Sequence, residues 1–274
     1  MLRRFYFSRR SGVRRLLLAA CCAALLGGSV IGCRSGDASS SASAPRADSS
    51  AARADSTASP AAGASEKLTV LVVGNSLAAG YGLSQDEAFP ALLQQKADSA
   101  GLGRVEVVNA GVSGETTAGG RGRIDWLLRR KDLDVLLLEL GGNDALRGLP
   151  PDSARANLRA MIEQTKAQFP EARVVLAGMK APPNMGASYA RRFEQIYPQL
   201  AEETGAALIP FLLEGVAGRP ALNQPDGIHP TSEGQRVIAR TVWGTLGPLL
   251  REMRGPAVPA EASATPGAAP SATG

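Results

Sequence analysis

The chain has 274 residues and a formal net charge of +5. Six arginines (Arg3, Arg4, Arg9, Arg10, Arg14 and Arg15) stand near the start with no acid among them. Taking them away leaves the rest at −1, too little for the basic face that a nucleic-acid partner requires. A single histidine, with no HExxH and no paired-cysteine spacing, excludes a histidine-rich or cysteine-cluster metal site, so neither metal nor cofactor is expected.

The arginines lead into an apolar run, Leu16 to Leu26, and then into Gly27-Gly28-Ser29. A charged start, an apolar centre and small residues after it make an export signal; the run is shorter than the roughly 20 apolar residues of a membrane-spanning helix. Val30-Ile31-Gly32-Cys33 follows and resembles a bacterial lipobox, in which the cysteine is acylated after cleavage. Cys33 read as an ordinary cysteine past a secretory cleavage site is the alternative. Cys21 and Cys22 lie in the signal, so Cys33 would be the mature chain's only cysteine, without an internal disulfide partner in an oxidising compartment. Lipidation removes that oddity. The reading is therefore a signal at 1–32 and a lipid attached at Cys33, giving an exported lipoprotein anchored to the bacterial cell envelope, periplasmic or surface facing.

Residues 34–66 contain no Leu, Ile, Val or aromatic residue. Such a segment cannot offset its ordering entropy by burial, so 33–66 is expected to be a disordered tether spanning on the order of 30 Å. Residues 255–274 form a similar Ala/Pro-rich tail, leaving 67–254 as one domain.

Inside that domain, apolar runs at Leu68–Val73, Val105–Asn109, Val135–Leu140, Val174–Ala177 and Ala207–Ile209 read as strands buried on both faces. Helical spacing occupies Ala88–Ala100, Gly120–Arg130, Ser153–Gln168, Tyr189–Thr204 and Glu233–Leu250, with Asp152 or Ser153 as N-cap of the third. The alternation predicts a three-layer α/β/α fold: a flavodoxin-like, doubly wound parallel sheet of about five strands. In such a sheet the site lies at the carboxyl ends of the strands.

The chemistry-bearing residues fall at those ends. After the first strand comes Gly74-Asn75-Ser76, where Ser76 fits a nucleophile on a tight turn and a helix-capping serine equally well. The solitary His229 stands in Asp226-Gly227-Ile228-His229-Pro230 before the last helix. Neutral imidazole can take a proton from a serine hydroxyl, and a carboxylate three residues earlier can hold the other ring nitrogen. A surface histidine in a turn is the bland alternative. The second and third strands run into Gly111-Val112-Ser113-Gly114 and Gly141-Gly142-Asn143, loops able to supply N–H donors to an oxyanion.

Four blocks in order, GNSLAAGYGL, NAGVSGETT, ELGGNDALRG and DGIHP, resemble those of the SGNH/GDSL hydrolase superfamily. The likeness is to its bacterial periplasmic arylesterase, acyl-thioesterase and lysophospholipase I group. It implies a Ser-His-Asp esterase with Ser76, Asp226 and His229 catalytic, and with Ser76, Gly114 and Asn143 forming the oxyanion hole. Implied substrates are small esters, thioesters or lysophospholipids, and the lipid anchor supplies a membrane; no obligate protein partner is implied. A carbohydrate O-acetyl esterase is the alternative activity, and a catalytically silent envelope binding protein the alternative class. One departure stands out: Asn75 occupies a position where the family usually has aspartate. Its loss of charge is expected to spare activity while altering stability or pH dependence.

Overall fold

The computed structural model describes residues 67–130 and 132–255. The expected signal, the Cys33 attachment, the tether and the tail from 256 onward lie outside them. No described helix is long and apolar enough to cross a membrane.

Five parallel strands, β1 (Leu68–Gly74), β2 (Val105–Gly111), β3 (Val135–Glu139), β4 (Arg173–Ala177) and β5 (Ala207–Ile209), pair in the order β2-β1-β3-β4-β5. That order reverses the chain's direction of travel between β1 and β3, which opens a crevice at their carboxyl ends. Every residue of β1 and β3 is buried, as continuous apolar runs require. The expectation of two buried faces fails for β2 and β5. Both are edge strands, and their residues are mostly half-buried or exposed.

Between the strands run α1 (Ser76–Ala79), α2 (Phe89–Ser99), α3 (Thr117–Leu127), α4 (Gly142–Leu146), α5 (Pro151–Gln168), α6 (Ala187–Glu194), α7 (Ile196–Thr204) and the C-terminal α8 (Ser232–Arg254). Helices α2 and α8 pack together, while α3, α5 and α7 pack in sequence. Right-handed crossovers put these two groups on opposite faces, giving the three layers expected. The core between them includes Val70, Val72, Leu136, Leu137, Leu138, Leu158 and Ile238, all inaccessible to solvent. Truncating any of these leucines to alanine costs about 2–5 kcal/mol.

Three helix readings need correction. Neither Asp152 nor Ser153 caps α5: the N-cap is Pro150, and Pro151 starts the helix because its fixed φ and missing N–H suit that position. The expected single helix 189–204 is two. Pro198 has no N–H to give the carbonyl of Glu194, so the helix breaks at Gln195 and Pro198 falls in the first turn of α7. Helix α3 begins earlier than expected, where the Thr116 side chain caps the N–H of Gly119 at 3.3 Å.

Candidate active site

At the end of β1 the chain passes between its two neighbours, Gly74 lying opposite Gly111 of β2 and Glu139 of β3. It then turns at once into α1. A Cβ on Gly74 would stand 2.5 Å from Glu139 Oε2 and 2.6 Å from Ala78 Cβ, so only glycine permits this approach. Asn75 is the N-cap of α1: its Oδ1 accepts from the N–H of Leu77 at 2.9 Å. Ser76 follows, 9% exposed, its hydroxyl opening into the crevice.

The Ser76 Oγ lies 3.0 Å from His229 Nε2, and His229 Nδ1 lies 2.7 Å from Asp226 Oδ2. Asn75 Oδ1, at 3.4 Å, is the weaker acceptor for the serine proton. The second carboxylate oxygen of Asp226 accepts the N–H groups of Ile228 and His229, each at 3.0 Å. The bond to the imidazole, followed by these two backbone bonds, holds the Asp226 carboxyl down at about 2. The loop itself is pinned by Gln224, whose Nε2 donates to Tyr81 O at 2.7 Å and to Pro230 O at 2.9 Å. The Tyr81 ring lies against the imidazole, with centroids 4.4 Å apart.

The two glycine-bearing loops are braced to each other. Gly114 sits at φ +79°, a conformation that favours glycine, and its carbonyl accepts from Arg147 at 2.9 Å. Asn143 uses one amide hydrogen on Glu115 O at 2.9 Å, which leaves the other free. Next to it, the buried carboxyl of Asp144 accepts from Thr117 N at 2.9 Å and Thr117 Oγ1 at 2.6 Å. Arg123 forks onto the Glu115 carboxylate from α3.

Ser76, Gly114, Asn143 and His229 all line one cavity of about 620 Å³; Asp226 stands behind the imidazole, outside that lining. One wall of the cavity is apolar, formed by Met179, Ala181, Pro182, Phe211 and Leu213. All five residues singled out in the sequence thus come to one place, at the strand ends. Among the described residues, no three His, Cys, Asp or Glu side chains converge as a metal ion needs.

Sequence reading missed Glu139, Asp144, Gln224 and Gln235. Glu139 is fully buried under the serine turn, and Gln235 of α8 donates to Leu77 O at 3.0 Å from the other side. A glutamate inside the run Val135–Leu140 was a visible signal for the first; the glutamines gave none.

A parallel sheet with a serine, a histidine and a carboxylate in hydrogen-bonded series at its carboxyl edge is the architecture of a hydrolase. Residues 72–237 match the model of the GDSL-like lipase/acylhydrolase family. The esterase TesA of Pseudomonas aeruginosa is 42% identical over 182 residues, which cover 66% of this chain and 89% of that one. The thioesterase 1/protease 1/lysophospholipase L1 of Escherichia coli K12 is 40% identical over 182 residues, 66% of this chain and 85% of its own. Among solved structures, the psychrotrophic esterase EstA of Pseudoalteromonas sp., inhibited by monoethylphosphonate, superposes with a TM-score of 0.62. It is 35% identical and matches over 66% of this chain and 98% of that one. The chain belongs to the GDSL-like lipase/acylhydrolase family and is a carboxylic ester hydrolase.

Proposed function

We propose that this hydrolase cleaves carboxylic esters and thioesters by transferring the acyl group to Ser76, with His229 as base and acid and Asp226 orienting it. The observation carrying this reading is the unbroken series Asp226 Oδ2, His229 Nδ1, His229 Nε2 and Ser76 Oγ, with separations of 2.7 and 3.0 Å across its two hydrogen bonds. As Ser76 Oγ attacks the carbonyl carbon, its proton passes to His229 Nε2. The Nδ1–H stays on Asp226, whose charge stabilises the imidazolium. The oxyanion that forms is met by the backbone N–H groups of Ser76 and Gly114 and by the free Asn143 amide hydrogen. Its collapse breaks the ester bond, and His229 returns the proton to the leaving alcohol or thiol. Water then repeats the sequence on the acyl-enzyme, releasing the acid and restoring Ser76.

The apolar wall supports an acyl chain of medium to long length, carried by an aryl ester, a thioester or a lysophospholipid. Each methylene it buries is worth about 0.8 kcal/mol, so kcat/KM should rise by up to roughly fourfold per carbon until the wall is filled. A series of p-nitrophenyl esters from acetate to palmitate, with an acyl-CoA and a lysophospholipid alongside, tests this. A sharp preference for acetate would instead favour an O-acetyl esterase acting on carbohydrate.

We also propose that residues 1–33 export the enzyme and anchor it through an acylated Cys33. Support comes from the charged, apolar and small-residue order of that segment and from its lipobox-like end. Palmitate incorporation in the producing cell should disappear in Cys33→Ser; undiminished incorporation would refute the anchor.

A further inference from the structure

One buried carboxyl takes no part in acyl transfer. Glu139, at the end of β3, is inaccessible to solvent and lies directly beneath the serine turn. Its Oε1 accepts from Asn75 Nδ2 at 2.7 Å, and its Oε2 accepts from Asn75 N at 3.0 Å and Ala78 N at 3.2 Å. Among these partners every one donates. Asn75 thereby spends its amide on Glu139 and its carbonyl oxygen on the Leu77 N–H, so neither end can turn round without loss.

We propose that Glu139 is a positioning residue whose carboxylate, paired with the Asn75 amide, locks the Ser76 turn without a shared proton and so sets the pH range in which the hydroxyl is aligned. This rests on Ser76 being the nucleophile. The pairing makes definite demands. Protonated, Glu139 finds no acceptor among these partners, since Asn75 Nδ2, Asn75 N and Ala78 N all donate, and its proton would compete with the Asn75 amide for Oε1 and loosen that pairing. An aspartate at 75 would face Glu139 as a second carboxyl at hydrogen-bond distance. Two such groups hold together by sharing one proton and repel once it leaves.

Burial pushes the Glu139 carboxyl up to about 8, against the lowering effect of its three N–H donors. The titratable groups around it are few. Glu115, paired with Arg123, faces it from the loop after β2, and from α7 comes Tyr197, whose phenol burial holds well above its ordinary range. Neither β1 nor α1 contains an ionisable side chain, and His229 reaches the turn only through Ser76. Because every variant keeps the same Asp226, His229 and Ser76 series, the informative quantity is the ratio of variant to wild-type kcat at each pH.

The test measures kcat, KM and thermal melting of the wild type, Asn75→Asp, Glu139→Gln and the double variant from about pH 5.5 to 10 on one p-nitrophenyl ester. For Asn75→Asp, the kcat ratio to wild type should fall at least about tenfold from pH 6.5 to pH 9.5 as the shared proton leaves, with KM little changed and the protein still folded. Glu139→Gln places donor against donor and should lose roughly ten- to hundredfold in kcat throughout. In the double variant the amide and carboxylate have changed places, so every donor named above is satisfied again. It should regain most of the Glu139→Gln loss and show no alkaline decline. A pH-independent ratio for Asn75→Asp, or a double variant no better than Glu139→Gln, would overturn the proposal. Should Glu139→Gln fail to fold, the Asn75→Asp ratio and the double variant decide. Organophosphonate labelling of wild-type Ser76, run in parallel, separates the two claims: absent labelling removes the nucleophile, whereas labelling with a flat pH ratio removes only the pair.

Discussion

Asp144→Ala isolates the brace between the two candidate oxyanion loops. The carboxyl is 2% exposed and Thr117, whose N–H and hydroxyl it accepts at 2.9 and 2.6 Å, is wholly buried. Water cannot take the place of the lost oxygens. A buried N–H left without an acceptor costs about 1–3 kcal/mol, and the hydroxyl adds less because it can rotate. The total should be roughly 2–4 kcal/mol, which in a domain of this size lowers Tm by about 5–15 °C. Asp144→Asn keeps one acceptor and should lose about half as much. Urea unfolding with an unchanged m-value reads the difference, and kcat measured well below the transition should fall because Asn143 and Gly114 are held through the same loops. An Asp144→Ala variant within about 0.5 kcal/mol of wild type would show that the brace contributes nothing.

Asn143→Ala removes one of the three proposed oxyanion donors and should lower kcat by about 10²–10³ with KM little changed; steady-state kinetics on a short-chain ester suffice. Gln224→Ala loses the bonds to Tyr81 O and Pro230 O that pin the histidine loop. It should reduce kcat more than stability, shown by kinetics set beside a melting curve. A pH effect on stability follows from Glu139, whose pKa rises from 4.5 in the unfolded chain to about 8 in the fold. The folded state keeps a proton that the unfolded chain releases, so this contribution is full below about 4.5 and is lost as pH climbs to about 8. Unfolding free energies at about pH 5, 7 and 9 should decline along that range, and the decline should flatten in Glu139→Gln. The ionised carboxylate that positions the turn is thus the form that costs the fold stability.

The strands were legible because β1 and β3 are buried on both faces and so read as unbroken apolar runs, LTVLVV and VLLLE. Edge strands β2 and β5 keep the composition of strands without the burial, since exposure depends on sheet order rather than on local sequence. Helix 189–204 misled because its apolar spacing continues across Pro198, and the break at Gln195 falls three residues upstream of the residue that causes it. At the site, Asp226 and His229 could be paired from three-residue spacing alone. Ser76 sits 153 positions from His229, so only the rule that sites gather at strand ends, together with the family likeness, could join them. Glu139 lay hidden in the opposite way. Inside an apolar strand it looked like an interruption, and its partner Asn75 is 64 positions earlier.

Covalent labelling with an organophosphonate, followed by intact mass and peptide mapping, addresses the nucleophile most directly. One phosphonyl group should appear per wild-type chain on the peptide bearing Ser76, and none on Ser76→Ala, which should also lose esterase activity while melting as the wild type does. Equal labelling of Ser76→Ala, or ester hydrolysis undiminished by that substitution, would contradict acyl transfer through Ser76.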